Sequence, residues 1–188
     1  MNQLNQHLKN LPNKLVETLQ TEFQKIHQQY FLARWEPSQL DGGRFAEAVL
    51  RIVEQKDRGS FTPIGTRLNR LTVVQSAEQN TALRDSLRFQ IPKLSGLILD
   101  FRNNRNVGHL GTIVVNEMDS TFVIQAANWI VAELIRLETQ MSPEAAQSEI
   151  KKIIERKVPI VEEIGGRLKC LNTTLNVKQK ALIFCYQK

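Results

Sequence analysis

Residues 119–139, DSTFVIQAANWIVAELIRLET, decide the fold of this chain. Phe122, Val123, Ala126, Trp129, Ile130, Val131, Leu134 and Leu137 recur at three- and four-residue steps, a stripe that an α-helix gathers onto one side. Asp119 or Ser120 is placed to cap its start. The stripe is wide enough for a central position in a helical bundle. Downstream, Ser142-Pro143-Glu144 is a start signal for another helix carrying Ala146, Ile150, Ile153 and Ile154. Upstream, Leu15, Val16, Leu19, Phe23, Ile26 and Tyr30 form one stripe from Asn13 to about Ala33, with Pro12 suited to a first turn. A helix from Ser38 to about Lys56 turns Leu40, Phe45, Val49, Ile52 and Val53 inward. Gly42 and Gly43 cost it about 1–2 kcal/mol relative to alanine, so close helix approach or a bend is expected there. Helical pattern returns near Thr81, is interrupted at Pro92, and continues through Leu94, Leu97, Ile98 and Phe101.

Strand signals are scarce: Thr112 to Val115 and Val158 to Val161 are both too short to found a sheet. From Asp57 to Asn80 the periodicity dissolves. Gly59, Pro63 and Gly65 mark loop, and Leu71-Thr72-Val73-Val74 is an apolar patch of no clear type. The expected fold is all-α, an antiparallel bundle of four to five helices over residues 1–160, with a C-terminal extension over 161–188. In that extension, Gly165-Gly166 and Arg167 to Thr174 read as connection. Asn176 then caps a helix through Val177, Ala181, Leu182, Phe184 and Cys185. It either docks on the bundle or begins a winged-helix module, whose first helix it resembles.

At 188 residues the chain is one domain, with or without a small appendage. That size buries roughly 70% of the unfolded surface, so no disulfide or metal staple is required. A hydrophobic share of 41% against 23% charged residues places it among soluble globular proteins. No apolar run approaches the roughly 18 residues of a membrane span. The start, Met1-Asn2-Gln3-Leu4-Asn5-Gln6, lacks the basic and apolar regions of a secretory signal. Cys170 and Cys185 sit in apolar surroundings with no CxxC and read as reduced core residues of a cytoplasmic protein. No HExxH, Walker A, GxGxxG, serine elbow or aspartate cluster is present, which argues against zinc protease, nucleoside-triphosphatase, dinucleotide and two-metal nuclease chemistry. Neither a metal nor another cofactor is expected.

Net charge is +6 and the isoelectric point near 9.5, a balance that favours polyanionic partners. The distribution says more than the total. Arg58, Arg67, Arg70, Arg84, Arg88, Lys93, Arg102 and Arg105 face only Glu78, Asp85 and Asp100 over the same stretch. This basic run leads into Arg102-Asn103-Asn104-Arg105-Asn106-Val107-Gly108-His109. On a helix, Arg102, Arg105, Asn106 and His109 share one face. Two permanent cations, amides and an imidazole suit a phosphodiester: guanidinium holds the phosphate and its developing charge, imidazole moves a proton. The same residues also suit a solvated C-terminal helix cap.

The octet resembles the signature of the HEPN superfamily, all-helical domains many of which are metal-independent endoribonucleases. In that signature an arginine is followed by a polar residue and, after four to six residues, by histidine. Here Asn103 follows Arg102, and six residues separate Arg102 from His109. The stretch from Phe101 through Leu137 resembles HEPN-type domains of prokaryotic antiphage and toxin–antitoxin systems. The resemblance implies a homodimer whose octets face one another over RNA. His109 would take the 2′-hydroxyl proton, Arg102 with Arg105 would neutralise the charge on phosphorus, and Asn103 would orient the arginine or the phosphate, with Asn106 beside them. It equally implies, as the alternative, an inactive member that binds RNA or a defence-system partner protein such as an antitoxin.

Glu47, with Arg44 and Arg51 three and four residues away, reads as a surface ion-pair ladder or as a carboxylate that orients Arg102. His7 and His27 read as solvated surface residues. Trp129 and Trp35 read as core and loop packing rather than base-stacking platforms.

Overall fold

The computed structural model describes residues 3–32, 42–104, 116–155, 161–164, 167–172 and 175–186. Their elements are α1 (Gln3–His7), α2 (Asn13–Phe31), α3 (Gly42–Arg58), α4 (Arg70–Gln79), α5 (Ile91–Asn104), α6 (Glu117–Thr139), α7 (Pro143–Glu155) and α8 (Val177–Tyr186). A π-helical turn, Ser86–Gln90, precedes α5, and a short hairpin of β1 (Val161–Ile164) and β2 (Arg167–Cys170) lies between α7 and α8. The protein is all-α in class. The strand expected at 112–115, the helix start at Ser38 and Trp35 lie outside the described residues.

Contacts between helices fix their directions. Along the α2–α6 seam Tyr30 meets Thr121, His27 meets Asn128, and Asn10 meets Glu138, so the two run in opposite senses. Gly42 faces Val123 while Lys56 pairs with Glu138, so α3 runs parallel to α6. Phe101 packs on Phe122 and Ser86 bonds Glu133, so α5 opposes α6. The result is an antiparallel bundle of α2, α3, α5 and α6. Its core joins Leu15, Leu19, Phe23, Phe45, Val49, Ile52, Ile98, Ile130 and Leu134 into one apolar cluster. Among the described residues no helix is long and apolar enough to cross a membrane.

Local chemistry explains the ends and irregularities. The cap of α6 is Asn116, not Asp119 or Ser120: Asn116 accepts from the Met118 and Asp119 amides, and Asp119 accepts the Asn116 amide in return. Pro12 is the cap residue of α2 rather than a member of its first turn. Pro92 is absorbed instead of breaking the helix. Its ring would press on the Arg88 carbonyl in a regular α-turn; the wider turn over Ser86–Gln90, closed by the Ile91 amide on the Ser86 carbonyl five residues back, precedes it.

Three expectations of the fold are corrected. The segment from Asp57 to Asn80 is not loop throughout, because α4 forms with Asn69 as cap and buries only Val73 and Ala77 against the core. Arg167 to Cys170 is not connection but β2, with Val161 opposite Cys170 and Ile164 opposite Arg167. Phe122 and Trp129 are not buried; they sit on the outer margin of the α6 stripe. The cysteines differ too: Cys170 is half-buried and Cys185 exposed, since the helix carrying it turns Val177 and Leu182 to solvent as well. Asn176 caps α8 as expected, with Gln179 reciprocating.

Gly42 is where three helices meet. A Cβ there would stand 2.7 Å from Ile98 Cγ2 and 3.2 Å from Val123 Cγ1. Ile98 is β-branched and stiff at that carbon. Gly42→Ala is therefore expected to destabilise the fold by about 1–3 kcal/mol. In a double-mutant cycle with Ile98→Ala, which removes the obstructing methyl, the two costs should be clearly less than additive in urea unfolding. Strict additivity would show that the close approach is not what requires glycine.

Candidate functional site

Arg102 and Asn103 fall in the last turn of α5, which ends at Asn104. Their side chains, and the whole of Arg105, Asn106 and His109, lie outside the described residues. The flanks are described. Phe101, directly before Arg102, packs its ring on Phe122 of α6 at a centroid distance of 5.2 Å. The last turn of α5 thus lies at its seam with α6.

Glu47 is engaged on its own helix. Its carboxylate pairs with Arg51 at 3.1 Å, and the same guanidinium reaches the carbonyls of Glu47, Thr62 and Thr66. The expected ion pair with Arg51 is present, but only the Glu47 end is near the surface, because Arg51 is 3% exposed. Each of its three guanidinium nitrogens has at least one acceptor, which a buried cation requires. Glu54, one turn on, accepts the Thr62 amide and hydroxyl at 2.6 and 3.0 Å. Together Arg51 and Glu54 bind the chain between α3 and α4 to the bundle. The spacing of Glu47 and Arg51 was visible in the sequence; the burial was not.

Asp57 extends this lock to α4. Ser76 donates to one oxygen at 2.5 Å and Asn80 to the other at 2.8 Å. Burial alone pushes its carboxyl up, but these two hydrogen bonds and the nearby Arg58 cation outweigh it and hold the pKa below the ordinary range. At α5, Arg70 pairs with Asp100 at 3.0 Å and lies over Gly96, where a Cβ would meet Arg70 Nη2 at 2.6 Å.

Both other histidines are more than solvated surface. His7 is half-buried and faces Glu149 at 3.4 Å. His27 belongs to the core stripe, four residues after Phe23, whose ring it meets edge-on at 4.7 Å. Nε2 lies 2.7 Å from Asn128 Oδ1 on α6, and Nδ1 is buried without a hydrogen-bond partner among the described residues. Desolvation lowers its pKa from near 6.5 to about 4, against a smaller upward pull from Asn128.

The described surface also holds a groove of about 840 Å³ between α6 and α7, lined by Trp129, Ala132, Ile150, Gln147 and Lys151 among others. Trp129 is 42% exposed there, so its ring covers the groove wall rather than filling the core. Glu133 and Arg136 sit beside it as a two-bond pair at 2.6 and 2.7 Å. The Arg136 bonds, with Ser86 adding to them, hold the Glu133 pKa low against desolvation. Among the described residues no group of three or more His, Cys, Asp or Glu is arranged to hold a metal ion.

His27 makes stability depend on pH. The unfolded histidine binds a proton near pH 6.5 and the folded one only near 4, so acid favours unfolding. The contribution is complete above about pH 6.5 and is lost as pH falls toward 4, up to about 3 kcal/mol. Between pH 7 and 5, above most carboxylate titration, His27→Gln should flatten the slope of unfolding free energy. An unchanged slope would show that His27 titrates normally in the folded protein.

Comparison with protein-family models, with curated proteins and with solved structures finds no match to this chain. The functional reading therefore rests on the residues of the chain itself.

Proposed function

We propose that this chain is a metal-independent endoribonuclease of HEPN type, acting in a prokaryotic antiphage or toxin–antitoxin system. The observation that supports this reading is the position of the Arg-Asn signature in the fold. Arg102 and Asn103 close α5, a helix that also carries Lys93, and α5 packs on α6 immediately beside them. In the chemistry proposed, His109 removes the 2′-hydroxyl proton and the freed oxygen attacks the adjacent phosphorus. Arg102, with Arg105, balances the charge that develops on the phosphoryl oxygens, and Asn103 orients the guanidinium or the phosphate. The bond to the 5′ oxygen breaks, leaving a 2′,3′-cyclic phosphate and a 5′-hydroxyl. The departing oxygen needs a proton, which the second protomer's His109 supplies across a two-fold axis.

A non-catalytic module that binds RNA or a partner protein is the second reading. It is favoured by the six-residue spacer between Arg102 and His109 and by Gly108, which loosens any helix directly before the histidine.

His109→Ala is expected to abolish cleavage of a structured RNA pool while leaving the helical circular dichroism unchanged. Wild-type cleavage should persist in excess EDTA. Cleavage by the variant at the wild-type rate would remove His109 from the reaction. Loss of activity in EDTA, restored by Mg²⁺ or Mn²⁺, would replace the mechanism with a metal-dependent one.

The shared site has its own test. Mixed dimers of wild type and His109→Ala should fall well below half the wild-type activity per dimer. A monomer by sedimentation at micromolar concentration, with activity intact, would defeat the composite site.

A further inference from the structure

The groove between α6 and α7 has no part in the cleavage proposed above, and its wall is open. Trp129 is exposed there, with no ring or cation on its face and no acceptor for its indole N–H among the described residues. Three residues, 140–142, join α6 to α7, so the two helices form an antiparallel hairpin. On α7 the groove is lined by Glu144, Gln147, Lys151 and Ile154. Steps of three, four and three residues put these on one helix face. Trp129 and Ala132 of α6, with Ile150, supply the apolar part.

Charge on this face is balanced and polarised. Glu133 and Arg136 neutralise one another through their two bonds. Glu144 has only neutral partners, the Ser142 hydroxyl and its own amide. Lys151 is exposed and has no acidic partner among the described residues. Two helical turns, about 10 Å, separate this unmatched base from the unmatched acid. The chain as a whole carries +6, which holds copies apart over most of the surface. The groove is a place where that repulsion is missing. A ligand of one sign would meet the wrong charge at one end. A second copy would not: turned about a two-fold axis near Gln147, the face sets Lys151 of each copy against Glu144 of the other.

We infer that the α6–α7 groove is a two-fold contact between copies of this chain, with the Trp129 rings in its apolar part and a Lys151–Glu144 pair at each end. An exposed tryptophan among uncharged and aliphatic neighbours is the composition of a contact centre between proteins. The inference does not rest on the nuclease reading, because the octet follows α5 and the groove faces α7. Pairing at both places would build an assembly larger than a dimer.

The test is sedimentation velocity on the full chain over a concentration series. Trp129→Gln should raise the dissociation constant of wild-type self-association about tenfold, with helical circular dichroism unchanged. Lys151→Glu and Glu144→Lys should each weaken association, and the two reversals combined should restore most of it. The first lowers the net charge and the second raises it, so a general charge effect would move them in opposite directions. A wild type that stays monomeric throughout, as when the groove takes a different protein or a small ligand, overturns the inference. So does a wild-type oligomer whose mass none of the variants changes, since pairing then lies on another face. A double reversal that associates no better than either single one removes the Lys151–Glu144 pairing and the two-fold arrangement with it.

Discussion

The bundle depends on a residue with no side chain. At Gly42 the backbone of α3 lies against Ile98 of α5 and Val123 of α6. With a side chain at that point, α3 would stand off from both neighbours, and the packing of Phe45, Val49 and Ile52 below it would open. Glycine lowers helix propensity by about 1 kcal/mol. At the first position of α3 that cost is offset by dispersion contacts along the whole seam. Because α3 packs on α2, α4 and α5 and meets α6 at Val123 and Glu138, its depth bears on the position of each of these helices.

The same helix solves a second problem with charge. Arg51, Glu54 and Asp57 all lie on α3, and all face the chain from Thr62 to Asn80 rather than water. Each is desolvated, which taken alone is unfavourable. Each is also met by backbone or side-chain partners at hydrogen-bonding distance, so the penalty of leaving a partner unpaired falls on any change to the loop. These bonds add to the modest apolar anchorage of the segment, in which Val73 and Ala77 are buried and Ile64, Leu68 and Val74 only partly so. This is how α4, with two buried side chains, keeps its seat.

What was legible in the sequence follows from which signal carries each element. Helices α2, α6 and α7 show as stripes because each buries a full face, and α3 showed despite its glycines for the same reason. Helix α4 did not, because Val73 and Ala77 alone make no stripe and polar locks do not show as hydrophobic periodicity. The hairpin was missed because its strands are four residues long, although Gly165-Gly166 between VEEI and RLKC is a two-residue turn signal. His27 looked solvated beside Gln28 and Gln29; its spacing from Phe23 was the better guide. Of the candidate site, the octet was legible as composition and spacing alone. The burial of Arg51 and the exposure of Trp129 were not, since both depend on how distant segments cover a helix.

The end of α5 places opposing electrostatic demands on the octet. Unpaired carbonyls at a helix C-terminus carry partial negative charge, which favours cations in the last turn by about 0.3–1 kcal/mol. Arg102 gains from this whether it caps the helix or holds a phosphate, so the cap and the site do not exclude one another. A histidine in the same field is driven toward its protonated form, which is the wrong state for a base. On the proposed chemistry one His109 starts neutral, as the base, and the partner's His109 starts protonated, as the acid, so the two imidazoles of a dimer share one proton between them.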